Sequence, residues 1–524
     1  MPPTVPEATD ARDRSAEFRP KAPDRYLRIA AKGAGVTFAG RWIGHLATLL
    51  SALVVARFLG AEAYGLYILG IMVITTLSAL ANFGLPKAAQ RYIAIFRGEG
   101  NAESTKGVVV TSLAIVGIAG SLMALLLFLF SAFIGETVFG KPELGPVFRD
   151  LAAAIPLLSL ASVAVLSTFT FGTAKYGVLI EHLLKPWVGL AASIILFWLG
   201  WRLEGALAAY LIAMALGCGL ALYYLNRLFP LARTGIRAVY QPGLLVSFGL
   251  PVLGSDLLWL LQSQADVYLL GFLGTPKDVG IYRASVMLAL LVSEALISFS
   301  NIFSPMVSEL HHSGQLEELK RLYQSLTRWS LAASLPFALG LTLYAGCILP
   351  VFGPAFASGG PSLALLSVGQ LINAATGPGG PMILMTGRPR LNLANDAAAL
   401  AITAALCLLL IPRLGMLGAA VAAAAATTLV NLLRALEVRV LLGMSPASNG
   451  IWKPLAAGLA AGAASWVLST HLLPPVGPGA LAVNLFFLLG AYALAMWLLG
   501  FEREDLVMAA AMKRRLASAM SPVR

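Results

Sequence analysis

The chain has 524 residues, of which 58% are hydrophobic and only 12% charged, where an ordinary soluble domain carries about 25% charged residues. That is too little charge to coat the roughly two or three domains a soluble chain of this length would form. Disorder, a coiled coil, collagen and a disulfide scaffold are excluded on the same ground, and the chain reads as a polytopic membrane protein. Cys218, Cys347 and Cys407 all lie in apolar runs and suit neither a metal cluster nor a secreted framework.

Residues 1–32 form a hydrophilic tail of mixed charge, without the short apolar region of a cleavable signal. From Gly33 onward the chain is a succession of apolar runs near the 20 residues that a membrane helix needs. About fourteen are expected, near 33–57, 64–83, 107–134, 150–172, 178–200, 205–225, 243–273, 280–304, 329–352, 362–386, 392–412, 415–434, 453–472 and 480–500. A β-barrel would need alternating polarity, whereas a run such as Gly107 to Ile134 is apolar all round. Two further segments, 311–328 and the tail 501–524, have helical patterns and are expected as amphipathic helices on the membrane surface.

An even number of spans puts both termini on one side, and the basic residues say which. With the termini cytoplasmic, 28 of the 37 Lys and Arg residues fall in inner segments and seven in outer loops, a strong positive-inside bias. The net charge of +12 is thereby explained by topology. It is spread over many short segments with no recognition motif, so no nucleic-acid partner is expected.

The chain also repeats itself. Phe58-Leu59-Gly60 followed by Gly65-Leu66-Tyr67 returns as Phe272-Leu273-Gly274 followed by Gly280-Ile281-Tyr282, with the first glycines 214 positions apart. Gly205-Ala206-Leu207-Ala208-Ala209 returns as Gly418-Ala419-Ala420-Val421-Ala422 at an offset of 213, and Asn82 with Pro86 matches Asn301 with Pro305 more loosely. Six spans separate the copies, so the repeats share one orientation, related by a pseudo-two-fold axis along the membrane normal. The expected fold is all-α: an N-lobe over 33–242, a C-lobe over 243–442 in a V-shaped pair, and two accessory helices over 443–500. Paired repeats of this kind place a substrate path between the halves near the midplane.

The stretches ARFLGAEAYGLY, ADVYLLGFLGTPKDVGIYRA and LMTGRPRLNLANDAAAL…IPRLGMLGAAVA resemble those of Wzx-type polysaccharide flippases. These belong to the superfamily that also contains MurJ lipid II flippases and MATE exporters. The resemblance runs from about Gly33 to Leu442 and is of family level. It implies flipping of a polyprenyl-pyrophosphate-linked oligosaccharide across a bacterial or archaeal cytoplasmic membrane by alternating access, for cell-surface polysaccharide such as O-antigen or exopolysaccharide. Polysaccharide polymerase and glycosyltransferase machinery are the implied partners beside the lipid bilayer.

A charge at the bilayer centre costs about 2.5–3.5 kcal/mol even on a lenient scale, so charged and polar residues within spans are the candidate site. Arg41 and His45 lie one turn apart on the first span. With Lys185 they supply cations for a pyrophosphate, which charge-assisted hydrogen bonds would hold firmly. Glu181 and Lys185 form an i,i+4 pair that also reads as an interfacial salt bridge. Asp256, Asp266 and Glu294 are candidates for gating and ion coupling, with Glu294 the expected coupling acid. Asp266 also reads as a cap on the nearby turn, and Asp396 as a partner for Arg388 and Arg390. Gln370 and Asn373 precede Gly377-Pro378-Gly379-Gly380-Pro381, which cannot continue as a regular helix and reads either as lining a substrate path or as a packed kink. Gly40 and Gly44 form a potential close-packing face.

Enzyme chemistry has no support: the histidines are scattered, there is no phosphate-binding glycine loop, and every outer loop is short. No cofactor is expected, and the energy is expected from a proton or sodium gradient, from the membrane potential, or from removal of product on the far side. Two rival readings are a MATE-like drug/cation antiporter, in which acids would dominate the lumen, and a membrane-embedded glycan polymerase. The repeat adds one mechanistic expectation. Arg41 lies 19 residues before Gly60 and Asp256 18 before Gly274, so the two reach one depth on equivalent helices and are expected to pair across the cavity when substrate is absent.

Overall fold

A glycine sets the first turn of the architecture. Helix Pro23–Ala81 is broken only at Gly60, whose φ of 77° and ψ of 171° suit a residue without a Cβ. Its apolar part, Ile43–Ala81, has 39 residues, about 58 Å at 1.5 Å per residue, roughly twice the thickness of a bilayer core. Gly60 divides it. The repeat-related Gly274 breaks the chain in the same place, between helix Pro242–Leu273 and the capped start of Pro276–Leu290, where the Thr275 and Asp278 side chains bond each other's backbone. Gly205 and Gly418 likewise lie in the first turns of Leu203–Leu228 and Met416–Leu442.

The computed structural model describes residues 23–171, 175–230, 237–447, 450–500 and 502, with side chains from Ile43 onward except that of Ile302. The expected amphipathic tail therefore lies outside the described residues apart from Glu502. Every regular element described is helical. Among the described residues eleven helices are long and apolar enough to cross a membrane, or thirteen when the bent pairs Leu144–Leu151 with Ala154–Thr170 and Leu316–Leu343 with Ala345–Phe352 each count as one span. The bends, 43° and 71°, and the break at Gly60 are why simple counting of apolar runs and counting of helices give different totals.

Two elements differ from expectation. Asn82, Phe83 and Gly84 form a tight turn with φ of 46° at Phe83 and 66° at Gly84, and a helix, Leu85–Gly98, follows in what reads as a loop. It buries Leu85, Ala88, Ala89 and Ile93 and leaves Lys87 and Arg91 toward the outside. The C-lobe counterpart is continuous: Asn301 and Pro305 lie inside Glu294–His312. The second difference concerns 311–328. Helix Leu316–Leu343 runs unbroken from it, and Leu319 and Tyr323 pack with Val307, Met382, Ile383 and Val438. The leucine pattern there marks a protein contact rather than a membrane-surface helix.

Between spans the lipid gives no hydrophobic driving force, so close packing and hydrogen bonds do the joining. The repeated glycines are the means. A Cβ on Gly65 would fall 1.7 Å from the carbonyl oxygen of Pro276, and one on Gly280 would fall 2.2 Å from that of Ala61. The two copies of the motif thus pack on each other across the seam between halves. Gly271 meets Leu69, and Gly84 and Gly249 meet backbone to backbone at the far end of the same seam. Second and seventh spans are joined along their length, while the first span faces the eighth. The accessory helices Trp452–Val467 and Pro478–Leu499 pack on each other and on Leu316–Leu343 around Leu335, Tyr344, Ala461 and Leu488. The Tyr344 hydroxyl lies 2.8 Å from Ser465 Oγ, tying that bundle together.

Candidate functional site

Two cavities lie against the seam, with Leu158 common to their walls. The first, about 410 Å³, is lined by Thr48 and Ser51 of the first span, Tyr64 and Tyr67 of the second, Glu181, Lys185 and Ser193 of the fifth, Tyr210 of the sixth, and Arg283 and Met287 of the eighth. The second, about 650 Å³, lies nearer the Gly84 end and is lined by Thr75, Ser78, Asn82 and Lys87 with Ser162, Ser255, Asp256 and Trp259.

The smaller cavity is cationic. Lys185 Nζ donates to Glu181 Oε1 at 2.6 Å, one turn along the fifth span, and its alkyl stem lies over Gly217, where a Cβ would collide with it. That i,i+4 pair is as the sequence suggests. Arg283 crosses from the other half, and among the described residues it makes no hydrogen bond or ion pair. A guanidinium carries five donors in a fixed fork. Tyr64, Tyr67 and Tyr210 line the same cavity, with the Tyr67 and Tyr210 rings edge to face at 6.5 Å. Counting Lys185, Glu181 and Arg283, the cavity has a net positive charge and donors ready for a charged acceptor.

The other candidates are distributed as follows. His45 Nε2 stands 3.9 Å from Glu294 Oε1, a contact of the first span with the eighth that becomes an ion pair when the imidazole is protonated. Gly44, beside it, is pressed against the backbone of His182, so that glycine does mark a close helix contact. Asp256 is paired with Lys87; the helix backbone at Arg41 is described, but its side chain, and with it the expected Arg41–Asp256 contact, lies outside the described residues.

Gln370 and Asn373 do not line either cavity. The Ser293 hydroxyl donates to Gln370 Oε1 at 2.5 Å, and Asn373 Nδ2 donates to Ser293 Oγ at 3.3 Å. They secure the turn directly before Glu294. The Gly377 break that follows has φ of 73° and is packed against Thr327 and Arg434, with Tyr323 donating to the Thr376 carbonyl at 3.0 Å. It is a packed kink. Asp266 accepts from the Tyr282 hydroxyl at 2.5 Å and from the Val267 backbone at 2.9 Å, half-buried within the C-terminal half rather than capping the turn at Gly274. Asp396 pairs with Arg434, not with Arg388 or Arg390, and Asn392 donates to its second oxygen at 3.1 Å.

Lys87, Asn82, Trp259 and Arg283 are cavity residues that the sequence reading passes over. Lys87 and Arg283 sit at span ends and read as loop charges. One signal for Arg283 was present: it lies three residues after Gly280, hence on the helix face that meets the other half.

At the Gly60 end the halves are tied by polar contacts. Arg57 Nη1 donates to the Val351 carbonyl at 2.9 Å. Lys141, only 8% exposed, donates to the Gly271 carbonyl at 2.6 Å, at the negative end of a helix. Burial pushes the Lys141 ammonium below its ordinary range, with Glu143 partly opposing the shift. Phe139 stacks on Phe272 at 4.4 Å beside it.

Comparison with known proteins agrees with this architecture. Residues 30–311 match a family described as polysaccharide biosynthesis protein. Stage V sporulation protein B of Bacillus subtilis is 25% identical over 79% of this chain and 84% of its own length. An uncharacterized membrane protein of Methanocaldococcus jannaschii is 22% identical over 65% of this chain and 70% of its own. Among solved structures, a lipid II flippase MurJ in an inward closed conformation superposes with a TM-score of 0.70 at 12% identity, covering 90% of this chain and 99% of that one. An inward-facing MATE family multidrug transporter of the MOP superfamily gives 0.64 at 17% identity, covering 78% and 98%.

Proposed function

Because the chain belongs to the polysaccharide biosynthesis protein family and has the fold of a MOP superfamily transporter, we propose that it flips a polyprenyl-pyrophosphate-linked oligosaccharide across the cytoplasmic membrane. The observation that carries the reading is Arg283, a guanidinium that makes no hydrogen bond or ion pair among the described residues and lines the smaller cavity from the opposite half, together with Lys185. An unpaired charge inside a membrane protein is costly and is retained where a ligand completes it. A pyrophosphate supplies the acceptors that this fork fits. A cationic drug would be repelled by it.

In this reading 33–242 and 243–442 move as two lobes about the glycine-lined seam, with the polyprenyl chain left in the lipid. Both termini are cytoplasmic, as the distribution of basic residues argues, so the Gly60 end is the outer one and the contacts of Arg57 and Lys141 hold it shut. The His45–Glu294 contact lies between the lobes, and a proton or sodium gradient is the energy source. Glycosyltransferases would load the substrate on one side and a polymerase would consume it on the other.

Reconstitution tests this directly. Proteoliposomes holding the purified chain should move a fluorescent polyprenyl-pyrophosphoryl saccharide between leaflets faster than protein-free vesicles. No acceleration, or efflux of cationic dyes in its place, would contradict the reading.

A further inference from the structure

The larger cavity has a different chemistry from the smaller. Its two charges, Lys87 and Asp256, are paired with each other, so it presents no net charge. Its polar lining is otherwise neutral: Thr75, Ser78, Asn82, Ser162 and Ser255. Thr75 and Ser162 give their protons to the carbonyls of Ile71 and Leu158, at 2.7 and 2.8 Å, which leaves their oxygens able to accept. Asn82 Oδ1 is a buried acceptor with no hydrogen-bond partner among the described residues. Trp259 completes the wall, 69% exposed and stacked on no other ring among the described residues.

We propose that this cavity is a saccharide subsite, with Trp259 as the platform for one sugar ring and Asn82 and Asp256 as acceptors for its hydroxyls. The inference rests on the flippase reading and specifies where the glycan sits. A pyranose has an apolar face of C–H groups that suits an indole, and a rim of hydroxyl donors that suits a wall rich in acceptors. Neutrality separates this cavity from the cationic one, and the common Leu158 wall puts the two side by side, as pyrophosphate and first sugar are in one molecule.

The local backbone supports a shaped site. Phe83 holds a φ of 46°, a strained value for a bulky residue, immediately after Asn82. Gly84 and the Phe83 carbonyl pack closely on Gly249 at this turn, and strain of this kind collects at ligand sites. The repeat sharpens the point, since Asn301 sits in a continuous helix and only the N-terminal copy is bent.

The test uses the full chain in nanodiscs and two kinds of probe: bare polyprenyl pyrophosphate, and polyprenyl pyrophosphate bearing one neutral hexose or N-acetylhexosamine from a panel. At least one glycosylated lipid should bind roughly tenfold more tightly than the bare one. Trp259→Ala should abolish that gain without changing the affinity for bare lipid, and Trp259→Phe should retain part of it. Arg283→Gln should weaken both probes by the same factor. A gain that survives Trp259→Ala, or no gain with any sugar while bare lipid still binds, overturns the saccharide subsite alone. Failure of every polyprenyl lipid to bind overturns the flippase reading and the subsite with it.

Discussion

In the N-terminal half, polar groups within the membrane turn toward cavities: Glu181, Lys185, Tyr67, Tyr210 and Asn82 all line one or the other. In the C-terminal half they turn toward one another. Asp266 is held by Tyr282, Asp396 by Arg434 and Asn392, Gln370 and Asn373 by Ser293, and Asn395 donates to Glu437 at 2.6 Å. The two halves share one repeat and one order of helices, so the difference lies in side chains rather than topology. It teaches that one lobe is built mainly to receive a ligand and the other mainly to keep its shape. Arg283 in the smaller cavity and Ser255, Asp256 and Trp259 in the larger are the exceptions on the C-terminal side.

The strongest way to break that division is to strand a charge in the C-terminal half. Arg434→Met should leave Asp396 without its cation and cost about 3–5 kcal/mol, read as lost expression or a much lower Tm in detergent. Adding Asp396→Leu to Arg434→Met should recover most of the loss, because the pair is then removed whole. Tyr282→Phe is milder. It takes the hydroxyl from Asp266 and should cost about 1–3 kcal/mol, with transport by the surviving protein close to normal. If either variant folded normally but failed to transport, the C-terminal network would be part of the path.

The matching change in the N-terminal half should act on transport instead. Glu181→Gln releases Lys185 into the cavity, and removing a partly exposed pair costs at most about 1 kcal/mol. Half-saturation by a polyprenyl-pyrophosphoryl substrate should then fall severalfold, with Tm almost unmoved. The smallest effect concerns Lys141. Burial lowers its pKa, so the closed Gly60 end binds fewer protons than an open one in which the amine is solvated. Between the lowered value and the ordinary one near 10.5, rising pH therefore favours closure. Distances between spin labels across that end should contract slightly with pH in the native chain and lose the dependence in Lys141→Met.

Much of this was legible in the chain itself. The hydropathy pattern shows the membrane class, and the repeated FLG motifs show where the helices break; at Gly60 the positive φ is a need that no other residue meets as well, while Gly274 is ordinary extended backbone. The Glu181–Lys185 pair is readable because four residues along a helix is a spatial distance. Pairings between spans are not readable that way. Between spans the structure sets His45 beside Glu294 and Lys87 beside Asp256, neither of which four-residue spacing could show, while the Arg41 side chain lies outside the described residues. Gln370 and Asn373 looked lumenal because polar residues in a span suggest a path, while Ser293, which satisfies them, lies 77 residues from Gln370. Arg283 and Lys87 were hidden by their nearness to span ends, where a charge needs no explanation.

The central claim is that Arg283 receives an anionic group from across the seam. Its most direct test is the leaflet-transfer rate of a polyprenyl-pyrophosphoryl saccharide in proteoliposomes holding either the native chain or Arg283→Gln, with Tm measured on the same preparations. The account predicts a folded variant of unchanged Tm whose rate falls by roughly ten- to a hundredfold, the loss of about 1.5–3 kcal/mol expected when a charged hydrogen-bonding partner is removed. Transfer at the native rate by a correctly folded Arg283→Gln chain would contradict it.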